Sequence, residues 1–126
     1  MNASYDAARA VDGLYACGHA LLTDGRYADA ACVFRALAAA APEEERGWLG
    51  LGACHEAVGQ HTVAIELYAT AEKLVPSPVR TAIAHARALR VIGSDHIADG
   101  MLDVAADHAV GDSELETLVC TERSFQ

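Results

Sequence analysis

The chain has 126 residues, 52% hydrophobic, 6% aromatic and 21% charged, which suits one domain with its own core and excludes intrinsic disorder. Nine Lys and Arg stand against eighteen Asp and Glu, a formal net charge of −9 that argues against nucleic-acid and membrane-surface partners. No apolar run approaches the ~18 residues of a membrane span, and residues 1–6 lack the basic and apolar regions of a secretory signal.

Every predicted element is a helix. The first pair spans about residues 11–44, turns at Thr23-Asp24-Gly25 and is closed by Pro42. The acidic run Glu43-Glu44-Glu45 suits the start of the next helix, where the dipole favours negative charge. The second pair, 45–78, turns at Ala57-Val58-Gly59 and is closed by Pro76. Ser77-Pro78 reads as an N-cap followed by proline at the first helical position. The third pair, 79–112, turns at Val91-Ile92-Gly93, with Val110 where the earlier pairs have proline. Ser113-Glu114-Leu115-Glu116 reads as a capping box opening a last helix, about 114–123, that covers the exposed end.

The three pairs are copies of one unit. Gly25, Gly59 and Gly93 are 34 residues apart each time, and Ala30, Ala64 and Ala98 keep the same step. Phe34, Tyr68 and Leu102 follow, with small Gly18, Gly52 and Ala86 ahead of the turns. Trp48, Leu51 and Gly52 open the second unit with W-x2-L-G. That period and those positions are identified as the tetratricopeptide repeat, so the expected fold is an all-α solenoid of three repeats with a capping helix. The small residues admit close helix packing, and the large ones fill the gap to the neighbouring unit.

Such a solenoid has a concave groove lined by the first helix of each pair. The groove positions are Asp12, Tyr15, His19 and Leu22 in the first unit, and Arg46, Leu49, Ala53 and Glu56 in the second. Arg80, Ile83, Arg87 and Arg90 take them in the third. The first two-thirds is a mixed apolar channel with Tyr15 as anchor. The last third is a basic cluster that either meets a partner or pairs with acids of the terminal helix.

Enzyme chemistry finds no purchase here. Gly50-Leu51-Gly52 lacks the third glycine of a dinucleotide loop, and His55-Glu56 lacks a second histidine at position 59. Cys17, Cys32, Cys54 and Cys120 form no paired motif, and the six histidines are scattered, so neither metal nor cofactor is expected. Free cysteines fit a reducing compartment. The two-carboxylate clamp of heat-shock co-chaperones needs Lys and Asn where Tyr15, His19 and Gly50 stand.

The segment 48–60 with Ala64, Ile65 and Tyr68 closely resembles the second repeat of the class II chaperones of bacterial type III secretion, which escort hydrophobic translocators. Leu14-Tyr15 through Val33-Phe34 is similar to their first repeat, and the likeness extends over about 14–108. The resemblance implies a bacterial cytoplasmic chaperone without nucleotide, cofactor or catalytic residue. Its partner would be an extended, proline-bearing segment of a secreted protein, held in the groove by Tyr15, Leu49 and Ala53. His19 and Leu22 depart from the family's aromatics, implying differently shaped pockets. The family's N-terminal dimerisation segment is represented by about ten residues, so the resemblance carries a homodimer less far than the groove. Needle-subunit chaperones and generic interaction scaffolds of the same repeat are the competing readings.

Overall fold

Gly25, Gly59 and Gly93 have φ of 78°, 81° and 84°, a left-handed region that penalises any residue with a Cβ, and each reverses the chain between two helices. The computed structural model describes residues 3–125, and its helices follow these turns in order. They are α1 (Ala3–Thr23), α2 (Tyr27–Ala40), α3 (Glu45–Ala57), α4 (His61–Leu74), α5 (Val79–Val91), α6 (Asp95–Ala109) and α7 (Ser113–Arg123). Each helix packs on the next in sequence. The first helices of successive units also touch, α1 on α3 and α3 on α5, and α7 meets α5 in the same way. The capping helix thus takes the place of a fourth unit's first helix.

The large residue of each unit fits against a glycine or alanine of its neighbours. Phe34 is 1% exposed and lies between α1 and α3; a Cβ at Gly18 would come 2.7 Å from its ring, and one at Gly50 would collide with it. Tyr68, also 1% exposed, fills the space over Gly52 and joins Ala64 of its own unit and Ala88 of the next. Leu102 sits with Ala86, Ala98 and Val119 in the C-terminal core. Burying each such side chain contributes about 1.5–3 kcal/mol. Gly47 does similar work unforeseen in the sequence, since a Cβ there would come 2.9 Å from the Ala38 backbone nitrogen.

Three helix starts differ from expectation. Residues 3–10 continue α1 ahead of the first unit, because Ala7, Ala8, Arg9 and Ala10 contain no breaker. α5 starts at Val79 with Pro78 rather than Ser77 at the N-cap, and no side chain caps it. α7 is capped by Asp112 rather than Ser113: its carboxylate accepts from the amides of Glu114 and Leu115, both at 3.1 Å. An ionised acceptor outcompetes the adjacent hydroxyl for those amides, and Glu116 reaches back to the Gly111 amide instead. Among the described residues no helix is long and apolar enough to cross a membrane.

Candidate functional site: the concave groove

Positions three or four apart share one side of a helix, so α1, α3 and α5 each present one stripe to the concave face. On α1, Tyr15 is half-buried, its ring 5.9 Å from the His19 ring and 6.3 Å from Phe34. His19 is exposed, and Leu22 is half-buried against the Ala30–Phe34 cluster. Arg46 of α3 places its guanidinium carbon 5.2 Å from the Tyr15 ring centre, a cation–π contact. That guanidinium donates to Asp12 at 3.1 Å and to Glu44 at 2.7 Å. The Glu44 hydrogen bond, offset by burial and helped by Asp12, holds Arg46 protonated more firmly than an ordinary arginine.

Leu49 and Ala53 follow along the floor, both half-buried, with Leu49 packed on the Ala64–Tyr68–Ala88 cluster. Glu56 accepts the Tyr68 hydroxyl at 2.7 Å. Burial, then this hydrogen bond, pushes the Tyr68 hydroxyl above the usual tyrosine range, so it stays a donor.

The third unit differs from the expected groove in two respects. Ile83 is 3% exposed and belongs to the core cluster that Val119 of α7 completes, so it does not line an open surface. Its stripe position faces the capping helix, which claims the apolar contact. The arginines, in turn, pair within the chain. Arg87 donates through Nε and Nη2 to Glu122 at 2.9 and 2.7 Å, and Arg90 donates to the same carboxylate at 3.3 Å. Arg80 lies 3.6 Å from Glu114. The basic cluster thus pairs with the terminal helix, while Arg80 and Arg87 keep exposed edges beside those pairs. Glu122 is 4% exposed, and its hydrogen bond is the first cause of the raised Arg87 pKa.

Glu122→Ala leaves two guanidinium groups over a dry contact without their counterion. Because Arg87 is well exposed, the expected loss is about 1–3 kcal/mol rather than the full cost of a buried pair. A urea melt should show a lower midpoint, with the loss shrinking in high salt as the remaining like charges are screened.

Sequence reading offered acids of the terminal helix as partners of the arginines without singling out Glu122, and it missed Glu45, whose Oε2 accepts from the Thr81 amide at 3.1 Å and hydroxyl at 2.8 Å. A usable signal exists: the pairs Asp12–Arg46, Glu45–Thr81 and Arg87–Glu122 are 34, 36 and 35 residues apart. In a solenoid of this period, residues one repeat apart are lateral neighbours. His85 Nδ1, 2.8 Å from Glu72, adds a tie between α4 and α5.

On the far side of α3 a cleft of about 390 Å³ opens against α2, lined by Tyr27, Cys32, Arg35, Cys54 and Val58 among others. Among the described residues no three His, Cys, Asp or Glu side chains gather as a metal site, and the four cysteines are free. Burial raises the Cys54 thiol pKa, which makes it a poor nucleophile.

The tetratricopeptide repeat model matches residues 15–77 of the chain. Over 58 residues, 46% of this chain, the sequence is 40% identical to the low calcium response locus protein H of Yersinia pestis and of Yersinia pseudotuberculosis. The match spans only 34% of those relatives' length. The Yersinia enterocolitica type III secretion translocator chaperone SycD superposes with a TM-score of 0.81 at 29% identity, covering 91% of this chain and 86% of SycD. SycD in complex with a peptide of the translocator YopD gives 0.77 at the same identity, over 90% and 86% of the two chains. PcrH from Pseudomonas aeruginosa shares the fold, with a TM-score of 0.79 at 22% identity over 98% and 90%.

Proposed function

This chain belongs to the tetratricopeptide repeat family, and we propose that it is a type III secretion chaperone whose concave groove holds an extended apolar segment of a secreted translocator. One observation carries the reading: the likeness to SycD runs through the groove-forming helices, and SycD has been solved with a translocator peptide. The groove supplies what such a segment needs. Tyr15, Leu49 and Ala53 are half-buried and offer apolar area without being sealed in the core. The chaperone acts in the bacterial cytoplasm, before export, and uses no nucleotide or metal.

The thermodynamics are those of mass action. Binding the apolar segment lowers the free concentration of a client that would otherwise aggregate or insert too early. Holding that segment extended keeps it compatible with a narrow channel. The exposed, alanine-rich stretch of α1 over residues 6–10 is the surface we assign to a homodimer contact, in line with the dimer described for SycD.

Affinity purification from the native bacterium tests this. A secreted, hydrophobic protein should co-purify near one-to-one and be lost after translocator-gene deletion. Recovery of fixed parts of a larger assembly, with no secreted protein, would support a scaffold instead. Stoichiometric zinc in the purified protein would overturn the non-metal reading.

A further inference from the structure

Glu56 and Arg87 lie on adjoining first helices, α3 and α5, and each is anchored at one end only. Glu56 Oε2 accepts the Tyr68 hydroxyl at 2.7 Å, while Oε1 accepts no hydrogen bond among the described residues. The buried His61 Nδ1, which has no hydrogen-bond partner of its own among the described residues, stands 3.6 Å from Oε1, beyond hydrogen-bond reach and an ion pair only when the imidazole is protonated. Arg87 is the complement. Its Nε and Nη2 are both taken by Glu122, and Nη1 donates to nothing among the described residues. The anchors are buried, with Tyr68 1% and Glu122 4% exposed, while the Glu56 and Arg87 side chains are 27% and 61% exposed.

An extended segment laid in the groove brings unpaired backbone N–H and C=O groups with it. Covering them without partners costs on the order of 1–3 kcal/mol each. A sheet edge would answer with its own backbone, but helices have spent theirs internally, so side chains must serve. Leu49 and Ala53 supply area but no hydrogen-bonding group, and Tyr15 only its neutral hydroxyl. Glu56 supplies an acceptor and Arg87 a donor, and together they carry no net charge.

We propose that Glu56 and Arg87 form a main-chain clamp, Oε1 of Glu56 accepting one backbone N–H of the bound segment and Nη1 of Arg87 donating to a backbone C=O. This rests on the reading of the groove as the holder of an extended segment. The anchors fix both groups before binding, so little rotamer freedom is lost when the segment arrives. Recognition through the main chain tolerates many side-chain sequences, provided the segment is extended. The helices that carry them, α3 and α5, touch, and the Glu56 charge adds to the larger effect of the Glu122 hydrogen bond in keeping Arg87 protonated.

The test uses fluorescein-labelled 12-residue peptides tiling the co-purifying secreted protein, with tiles of YopD as a second set, read by anisotropy. The tightest tile is remade with each amide N-methylated in turn, which removes one N–H donor at a time. One position should lose about tenfold in affinity for wild type and less than about twofold for Glu56→Ala. Because Glu56→Ala orphans the Tyr68 hydroxyl, the double variant Glu56→Ala with Tyr68→Phe repeats the comparison without that orphan. Equal losses in wild type and both variants overturn the clamp, even if Tyr15→Glu still abolishes binding and so keeps the groove. A loss that follows replacement of a basic client side chain, and no N-methyl position, reassigns Glu56 to ion pairing and also overturns it. If no tile binds wild type, the groove reading and the clamp fall together.

Discussion

Gly52→Leu is expected to lose cooperative folding of the second and third repeats. A Cβ at position 52 would already come 2.5 Å from the Tyr68 ring carbon Cζ and from its hydroxyl oxygen. Tyr68 cannot yield: it is 1% exposed, its hydroxyl is tied to Glu56, and Ala64 and Ala88 pack against it. Overpacking of this kind typically costs about 1–3 kcal/mol, and leucine adds three further carbons to a site with no room for the first. We expect a loss above about 3 kcal/mol, a large share of what a domain of this size possesses. Urea titration followed by helix circular dichroism and Trp48 fluorescence should show it. Gly13→Ala is the control, since a Cβ there meets nothing within 4 Å. Removing a glycine from a helix interior should leave stability unchanged or raise it by about 0.5–1 kcal/mol. Should Gly52→Leu melt with Gly13→Ala, the packing assigned to Tyr68 is wrong.

The contrast between these glycines explains how much of the fold was legible. Gly25, Gly59 and Gly93 announce the turns because only a residue without a Cβ is at ease at φ near 80°, and the 34-residue step repeats. Gly18, Gly52 and Ala86 announce close packing for the same steric reason. Helix starts were read one residue off at Pro78 and Asp112, where the choice depends on which neighbouring oxygen wins the free amides. The stripes expected on α1 and α3 stay half-open. On α5 the stripe closes at Ile83, because α7 continues the layer of first helices and completes the core around it, while Arg87 stays exposed beside its Glu122 pair. The capping box at Ser113 announces the last helix, but nothing in the spacing within α5 shows that it closes over Ile83; the charge complementarity of Arg87 and Glu122, one period apart, carries that information.

Tyr15→Glu should leave the fold nearly intact and weaken client binding about thirtyfold or more. The fold survives because Tyr15 is half-buried and Phe34, not Tyr15, fills the contact between α1 and α3. The new carboxylate would also stand beside Arg46, which already lies over this position and can pair with it. Binding does not survive, because a central aromatic anchor contributes on the order of 2 kcal/mol or more, and the replacement sets a hydrated charge against an apolar client residue. Tyr15→Phe separates area from the hydroxyl and should bind within about threefold of wild type. Titration of the labelled tiles into both variants, beside matched thermal melts, reads affinity and stability independently. If Tyr15→Glu binds as tightly as wild type while melting normally, the client does not lie in the concave groove. The apolar cleft between α2 and the end of α3, lined by Cys32, Cys54 and Val58, is then the surface to mutate next. Val58 is 54% exposed there, so Val58→Glu would test that face without disturbing the core.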